Sequence, residues 1–210
     1  MWRSIIIIAC CVLSSSFVIG AIPEEQLREE ANPFTLTIVM GPLCSGKTSY
    51  IERRVVRNGN ASRYAILSVD AIIDAAAPQW KKMHGDYHTY RREYGDQALM
   101  HEFYRLIRWP RQHLLYETTG ADHAFYRMLH IAREAHAAGY RVDLVFHAVT
   151  PDRVARCVRH RNRIQARQVS PEDMKRIYFE SHVNFARLTT GKRAYHRQWF
   201  DSITVVTRPK

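Results

Sequence analysis

The segment Gly41-Pro42-Leu43-Cys44-Ser45-Gly46-Lys47-Thr48 constrains this chain more than any other. It is a complete G-x-x-x-x-G-K-[ST] run, the pattern of a phosphate-binding loop. Such a loop has meaning only between a strand and a helix, and both flanks qualify. Phe34-Thr35-Leu36-Thr37-Ile38-Val39-Met40 is a β-rich run. From Gly46 onward, Tyr50, Ile51 and Val55 fall at helical spacing. Glycines let the backbone turn tightly and approach phosphate oxygens, while successive N–H groups and the helix N-terminus present a positive field to the anion. Gly41, Cys44, Ser45, Gly46, Lys47, Thr48 and Ser49 are therefore read as the nucleotide cradle. Lys47 is expected to reach the β- and γ-phosphates, and the Thr48 hydroxyl to ligate Mg²⁺. With glycine at about 7% of residues, roughly one chain in a hundred of this length would carry the run by chance; the flanking strand and helix make chance rarer still. The ligand this predicts is ATP or GTP with Mg²⁺.

The remainder of the chain continues the alternation. Tyr64–Val69 is a second short strand, and Ala98, Leu99, Phe103, Leu106 and Ile107 mark one side of a helix. His113–Tyr116 is a third strand. Phe125, Met128, Leu129, Ala132 and Ala135 form the apolar face of a helix that Gly139 stops. Val142–Phe146 is a fourth strand, two basic helices follow near 151–163 and 170–188, and Ile203–Val206 is the last strand. Strands alternating with helices predict an α/β P-loop kinase fold, a parallel five-stranded sheet with helices on both faces. Ligands of such sheets bind at the carboxyl ends of the strands. The 210 residues suffice for one medium domain, assigned to 34–210, and 46% hydrophobic residues exclude a disordered chain. The net charge of +11 suits an anionic partner: a nucleotide, a nucleic acid, a sugar phosphate or an acidic membrane surface.

The N-terminus and the cysteines point in opposite directions. Met1-Trp2-Arg3-Ser4 is a short basic start, Ile5–Ile19 is almost wholly apolar, and Val18-Ile19-Gly20 precedes Ala21 in the manner of a signal-peptidase site. Residues 1–20 are read as a signal peptide, with an uncleaved anchor second, and 21–33 as a linker; any membrane attachment would run through this segment alone. Asn60-Ala61-Ser62 is a glycosylation sequon. A leader of this kind implies a secreted, lumenal or membrane-tethered protein; cytoplasmic residence is the alternative. The four cysteines match no zinc or disulfide framework. A Cys44–Cys157 bridge is conceivable but would encumber the loop that must wrap phosphate, so the cysteine usage reads as that of a reducing compartment.

Several stretches beyond the phosphate loop occur in an informative order. They are Ser68-Val69-Asp70, His84-Gly85-Asp86-Tyr87, Arg92-Glu93-Tyr94-Gly95, Leu114-Leu115-Tyr116-Glu117-Thr118-Thr119, Ala138-Gly139-Tyr140-Arg141-Val142, Ala148-Val149-Thr150-Pro151 and Gln165-Ala166-Arg167. From about Phe34 to Leu188 the chain thereby resembles the zeta toxin family of P-loop kinases. The resemblance implies phosphorylation of UDP-N-acetylglucosamine or a related sugar nucleotide. It leaves an antitoxin-like partner unspecified. The chain departs from the family in three places. Asp70 is followed by Ala71-Ile72-Ile73-Asp74 and lacks the usual Arg; Thr118 replaces the glycine of the family's "EGT"; and no acidic residue stands near Trp109–Arg111. These departures fall on the acceptor side.

Each assigned role has a plainer competitor. Asp70, after a strand, is the candidate catalytic base, with Asp74 as fallback; the competing role is a helix N-cap. Glu117 ends an apolar strand, where a carboxylate needs a partner. It is assigned to acceptor binding or to the Mg²⁺ water shell, against a salt bridge. Thr119 is assigned to the acceptor through the resemblance, against a cap. Arg153, Arg156, Arg159, Arg161, Arg163 and Arg167 crowd one segment. The resemblance singles out Arg167 and Arg159 or Arg161 as catalytic charges over the phosphates, against a solvated basic face. Tyr87, Tyr90, Tyr94 and Tyr104 read as packing residues. Three functions follow: a small-molecule kinase, a polynucleotide 5′-hydroxyl or nucleoside kinase, and a nucleotide-binding protein without transfer.

Overall fold

The computed structural model describes residues 34–57, 61–75, 91–108, 112–164, 168–190 and 194–207. The leader, the linker, Asn60, Tyr87, Tyr90 and Arg167 lie outside the described residues.

Alternation within the first strand decides how the sheet is covered. Strand β1 (Thr35–Met40) sends Leu36, Ile38 and Met40 into one hydrophobic cluster and Val39 into another. Both faces are therefore buried, as expected of a central parallel strand. Helix α1 (Lys47–Arg57) covers one face, where Ile51 packs with Val39 and Leu115 and with the flanks of Tyr50 and Val55. The opposite face carries the larger core. It receives helices α2 (Val69–Ala75), α3 (Asp96–Arg108) and α4 (Asp122–Ala137) through Ile73, Leu99, Phe103, Met128 and Ile131. Each fully buried side chain of this size contributes about 1.5–3 kcal/mol.

The strands are β2 (Tyr64–Leu67), β3 (His113–Thr118), β4 (Arg141–Ala148) and β5 (Ser202–Thr207), in the order β2-β3-β1-β4-β5. All pairings are parallel. From β1 the chain travels outward to β2, while from β4 it travels the other way to β5. The connections thus diverge at the carboxyl ends of β1 and β4, where a doubly wound sheet opens its ligand crevice. Helices α5 (Pro151–Ile164) and α6 (Pro171–Thr190) follow β4 and complete the predicted α/β architecture.

Two local details differ from the pattern in the sequence. The second strand stops at Leu67, because Ser68 caps a helix that begins at Val69: its Oγ accepts from the Ala71 N–H at 3.4 Å and its carbonyl from the Ile72 N–H at 3.0 Å. A β-branched valine was read as strand, and the serine cap outweighs that propensity. The third strand runs past Tyr116 through Glu117 and Thr118, since pairing with β1 continues to Met40↔Thr118. Gly139 ends α4 as expected. It sits at φ 82°, with its N–H on the His136 carbonyl and the Tyr140 N–H on that of Ala135, both at 3.0 Å.

The cysteines correct the expectation of a reduced chain. Cys44 and Cys157 form a disulfide with Cα atoms 6.1 Å apart and a sequence separation of 113. Chain-entropy arguments assign a closed loop of that size roughly 4–5 kcal/mol of stabilisation.

His113 opens β3 between Phe34 and Tyr64, with ring centroids 5.7 and 5.3 Å away, and its Nδ1 accepts from the Thr35 N–H at 3.1 Å. Burial, and then Arg63 and Arg54, hold its pKa below the usual 6.5. The unfolded chain therefore takes up a proton that the native imidazole resists. Stability is fully present above about pH 6.5 and falls as pH drops below it. Urea denaturation at about pH 7.5 and pH 5.5 is expected to show this loss, and His113→Phe to flatten it while lowering stability at the higher pH.

Candidate active site

The phosphate loop is tied to the sheet at its first residue. Gly41 N–H donates to the Thr118 carbonyl at 3.2 Å, so the loop leaves β1 against the end of β3. A Cβ on Gly41 would lie 2.7 Å from the His147 carbonyl and 2.9 Å from Ser45 Oγ, so only glycine fits. Cys44 lies in the left-handed region at φ 57°, which costs an L-residue about 1–2 kcal/mol relative to glycine. Ser45 Oγ is buried and makes no hydrogen bond within the described structure, a polar atom left over inside the cradle. Lys47 is only 6% exposed, and its Nζ donates to the Pro42 carbonyl at 2.9 Å. Burial pushes its pKa down. The charges of Glu117 and Asp70 oppose that shift, and Arg161 adds to it. An ammonium kept dry by its own loop is thus ready for an anion that would replace one carbonyl with phosphate oxygens.

Those same charges bring together four residues that are far apart in the chain. Glu117 stands opposite Val39 in the β1–β3 register. Its carboxylate accepts from Thr48 Oγ1, at 3.0 Å for Oε1 and 3.2 Å for Oε2. This places Glu117 beside the hydroxyl expected to ligate the metal. Hydroxyl and carboxylate are hard oxygen donors, the set Mg²⁺ takes when phosphates and water complete its shell. Among the described residues no cluster of three His, Cys, Asp or Glu side chains forms a cage that would hold an ion alone. Asp70 is exposed in the first turn of α2. Since Ser68 supplies the cap, the Asp70 carboxylate is not needed for it.

The loop that follows β3 is held by α6. Thr119 Oγ1 accepts from the Ala121 N–H at 3.4 Å, the local turn contact that competes with a substrate role. Ser181 Oγ lies 2.6 Å from the Thr119 carbonyl and 2.7 Å from that of Ile177, which share its one proton, and Asn184 Nδ2 donates to the Gly120 carbonyl at 2.9 Å. Gly120, at φ 67°, leaves no space for a Cβ, which would sit 2.2 Å from Met40 Cε. Ser181 and Asn184 went unnoticed in the sequence. Their signal is the stripe they share with Leu188, at i, i+3 and i+7 of α6, all three of them buried.

Of the arginines, Arg161 is half-buried and its charge acts on Lys47. Arg159 is exposed, as are Arg156 and Arg163. Two helical positions separate Arg159 from Arg161, so the two leave α5 on nearly opposite sides. Tyr104 pairs its hydroxyl with His130 Nε2 at 2.7 Å, consistent with packing, whereas Tyr94 is exposed.

The family model described as Zeta toxin matches residues 25–208. The chain belongs to the zeta toxin family. No curated protein matches it in sequence. Among solved structures, a chain from the PezAT chromosomal toxin–antitoxin system of Streptococcus pneumoniae superposes with a TM-score of 0.60 at 16% identity, covering 88% of this chain and 74% of the other. A candidate kinase from Chloroflexus aurantiacus superposes with a TM-score of 0.57 at 17% identity, covering 84% and 86%. These likenesses share the fold. Family and fold together make this zeta toxin family member a P-loop phosphotransferase.

Removing a charge-assisted contact to a carboxylate costs about 1.5–3 kcal/mol, roughly 10- to 100-fold. Glu117→Gln is therefore expected to raise by that factor the Mg²⁺ concentration needed for tight ATP binding, with little change in Mg²⁺-free binding. Titration of a fluorescent ATP analogue reads this directly; an unaltered Mg²⁺ dependence would remove Glu117 from the metal side.

Proposed function

We propose that this protein transfers the γ-phosphoryl group of ATP to a hydroxyl of a sugar nucleotide of the UDP-N-acetylglucosamine type. The observation that carries the reading is the buried Lys47 of the phosphate loop, within the electrostatic reach of Glu117, Asp70 and Arg161, with Thr48 hydrogen-bonded to Glu117. The acceptor class rests on membership of the family.

The roles divide by position. Thr48 and Glu117 would hold Mg²⁺, which when bound neutralises phosphate charge. Lys47 exchanges the Pro42 carbonyl for phosphate oxygens and, with Arg161, offsets charge as the bond to the leaving diphosphate lengthens. Asp70 orients the acceptor hydroxyl and takes its proton late, as the new O–P bond forms. Thr119 and its loop, pinned by Ser181 and Asn184, form the wall nearest the acceptor. The exposed Arg156, Arg159 and Arg163 favour a second reading, in which the acceptor is a polynucleotide 5′-hydroxyl.

Incubation of the protein with γ-labelled ATP, Mg²⁺ and a panel of UDP-sugars, nucleosides and 5′-hydroxyl oligonucleotides separates these. Label is expected on a UDP-sugar, lost in Lys47→Ala, and reduced at least about 100-fold in Asp70→Ala with ATP binding retained. Label on an oligonucleotide would replace the acceptor, and wild-type transfer by Asp70→Ala would reassign the base. Nucleotide binding with no transfer to any acceptor would leave a binding protein.

We also propose that the mature chain begins near Ala21 and works in an oxidising compartment. The apolar Ile5–Ile19 run and the Cys44–Cys157 bridge support this. Mass spectrometry of the protein recovered from its native cell is expected to find that N-terminus; a retained Met1 in a cytosolic fraction would overturn it.

A further inference from the structure

The disulfide lies where the reaction chemistry would be. Cys44 precedes Lys47 by three residues in the phosphate loop, and its partner Cys157 is on α5, the helix that carries Arg161, whose charge acts on Lys47. Arg153, Cys157 and Arg161 are spaced four apart, so they share one stripe of the helix. All three are half-buried, whereas Arg156, Arg159 and Arg163 are exposed. Val154 and Val158, 1% and 4% exposed, anchor the adjoining stripe. The bridge and Arg161 therefore leave α5 in nearly the same direction, one turn apart, toward the loop. In the same last turn as Arg161, the side-chain amide of Asn162 is occupied with Val169, giving a hydrogen bond to its carbonyl at 2.8 Å and taking one from its N–H at 3.1 Å. That contact ties α5 toward α6 and not toward the phosphate loop.

The backbone at Cys44 is a second, independent indication. A residue in the left-handed region of a phosphate loop is at ease only as glycine, yet here it is cysteine. The unfavourable conformation gains a purpose if the side chain must reach α5.

We propose that Cys44 and Cys157 are positioning residues whose disulfide holds Arg161 at the phosphate site, so that nucleotide binding and transfer depend on the oxidation state of the pair. This rests on the phosphotransferase reading above. Formation proceeds by exchange with a low-molecular-weight disulfide: the two cysteine thiols give up two electrons and two protons, an S–S bond forms, and the reagent leaves as two thiols. A dithiol reverses the step and is itself oxidised.

The test compares the full chain after treatment with glutathione disulfide and after treatment with dithiothreitol, in wild type, Cys157→Ala, Arg161→Ala and the double variant. Thiol alkylation followed by mass spectrometry reports the bridge. Calorimetry with Mg·ATP reports binding without requiring turnover, and label transfer reports kcat and KM. Reduction of the wild type is expected to weaken Mg·ATP binding several-fold and to lower kcat by at least about tenfold, a fraction of what an arginine finger supplies. Cys157→Ala should match the reduced wild type in either condition. In Arg161→Ala, reduction should change neither quantity, and the double variant should equal Arg161→Ala, the signature of one pathway. A purely structural bridge would give losses that persist in the Arg161→Ala background, which would overturn the proposal. So would equal binding and kcat in both states, a gain on reduction, or thiols that remain free in glutathione disulfide. Redox-dependent binding without transfer to any acceptor would uphold the latch and reject the kinase reading; transfer indifferent to redox state would do the reverse.

Discussion

The hydrogen bond from Gly41 N–H to the Thr118 carbonyl joins the two structures on which this site depends. It is where the parallel β1–β3 ladder ends and the phosphate loop begins. The ladder sets Glu117 opposite Val39, one residue short of the loop's root. The loop then returns through Lys47 and Thr48 into α1, and the Thr48 hydroxyl meets the Glu117 carboxylate. A slip of one residue in this register would turn Glu117 to the other face of the sheet and separate the pair. The buried alternation of Leu36, Ile38 and Met40 prevents the slip, because it would expose the larger core.

Burial then gives the charges their leverage. Lys47 is almost inaccessible, and in a low-dielectric setting the neighbouring carboxylates and Arg161 act on it far more strongly than in water. The same setting makes an unpaired cation costly, which explains why Nζ rests on the Pro42 carbonyl. A phosphate would offer a better partner at that point. The Cys44–Cys157 bridge belongs to this arrangement: it fastens the loop carrying Lys47 to the helix carrying Arg161.

Much of this was legible in the chain itself. The phosphate loop reads directly, because its spacing records a backbone shape that few other sequences adopt. The five strands and the helices around them follow from apolar runs, whereas the order of the strands across the sheet, β2-β3-β1-β4-β5, is a property of the fold. The misreading of the second strand was local. Val69 has strand propensity, yet Ser68 turns the chain into a helix there. Thr118, which stands where the resemblance places a glycine, is in the fold a strand residue whose carbonyl anchors Gly41, and the left-handed turn falls at Gly120.

The sequence alone determined the fold class and the phosphate-loop motif, which are written in local spacing, and it offered Asp70, Glu117 and Arg161 as members of larger candidate sets, Arg161 through the resemblance. Only the tertiary structure decided which of them meet. It put Glu117 against Thr48, turned Arg159 away from the crevice that Arg161 faces, and recruited Ser181 and Asn184 to hold the loop at Thr119 and Gly120. It also closed Cys44 onto Cys157 across 113 residues, where the sequence argued for free thiols. Contacts of that range depend on how β3, α5 and α6 pack around one sheet. No local propensity encodes them, because propensity describes a residue's neighbours along the chain and these partners are neighbours only in space.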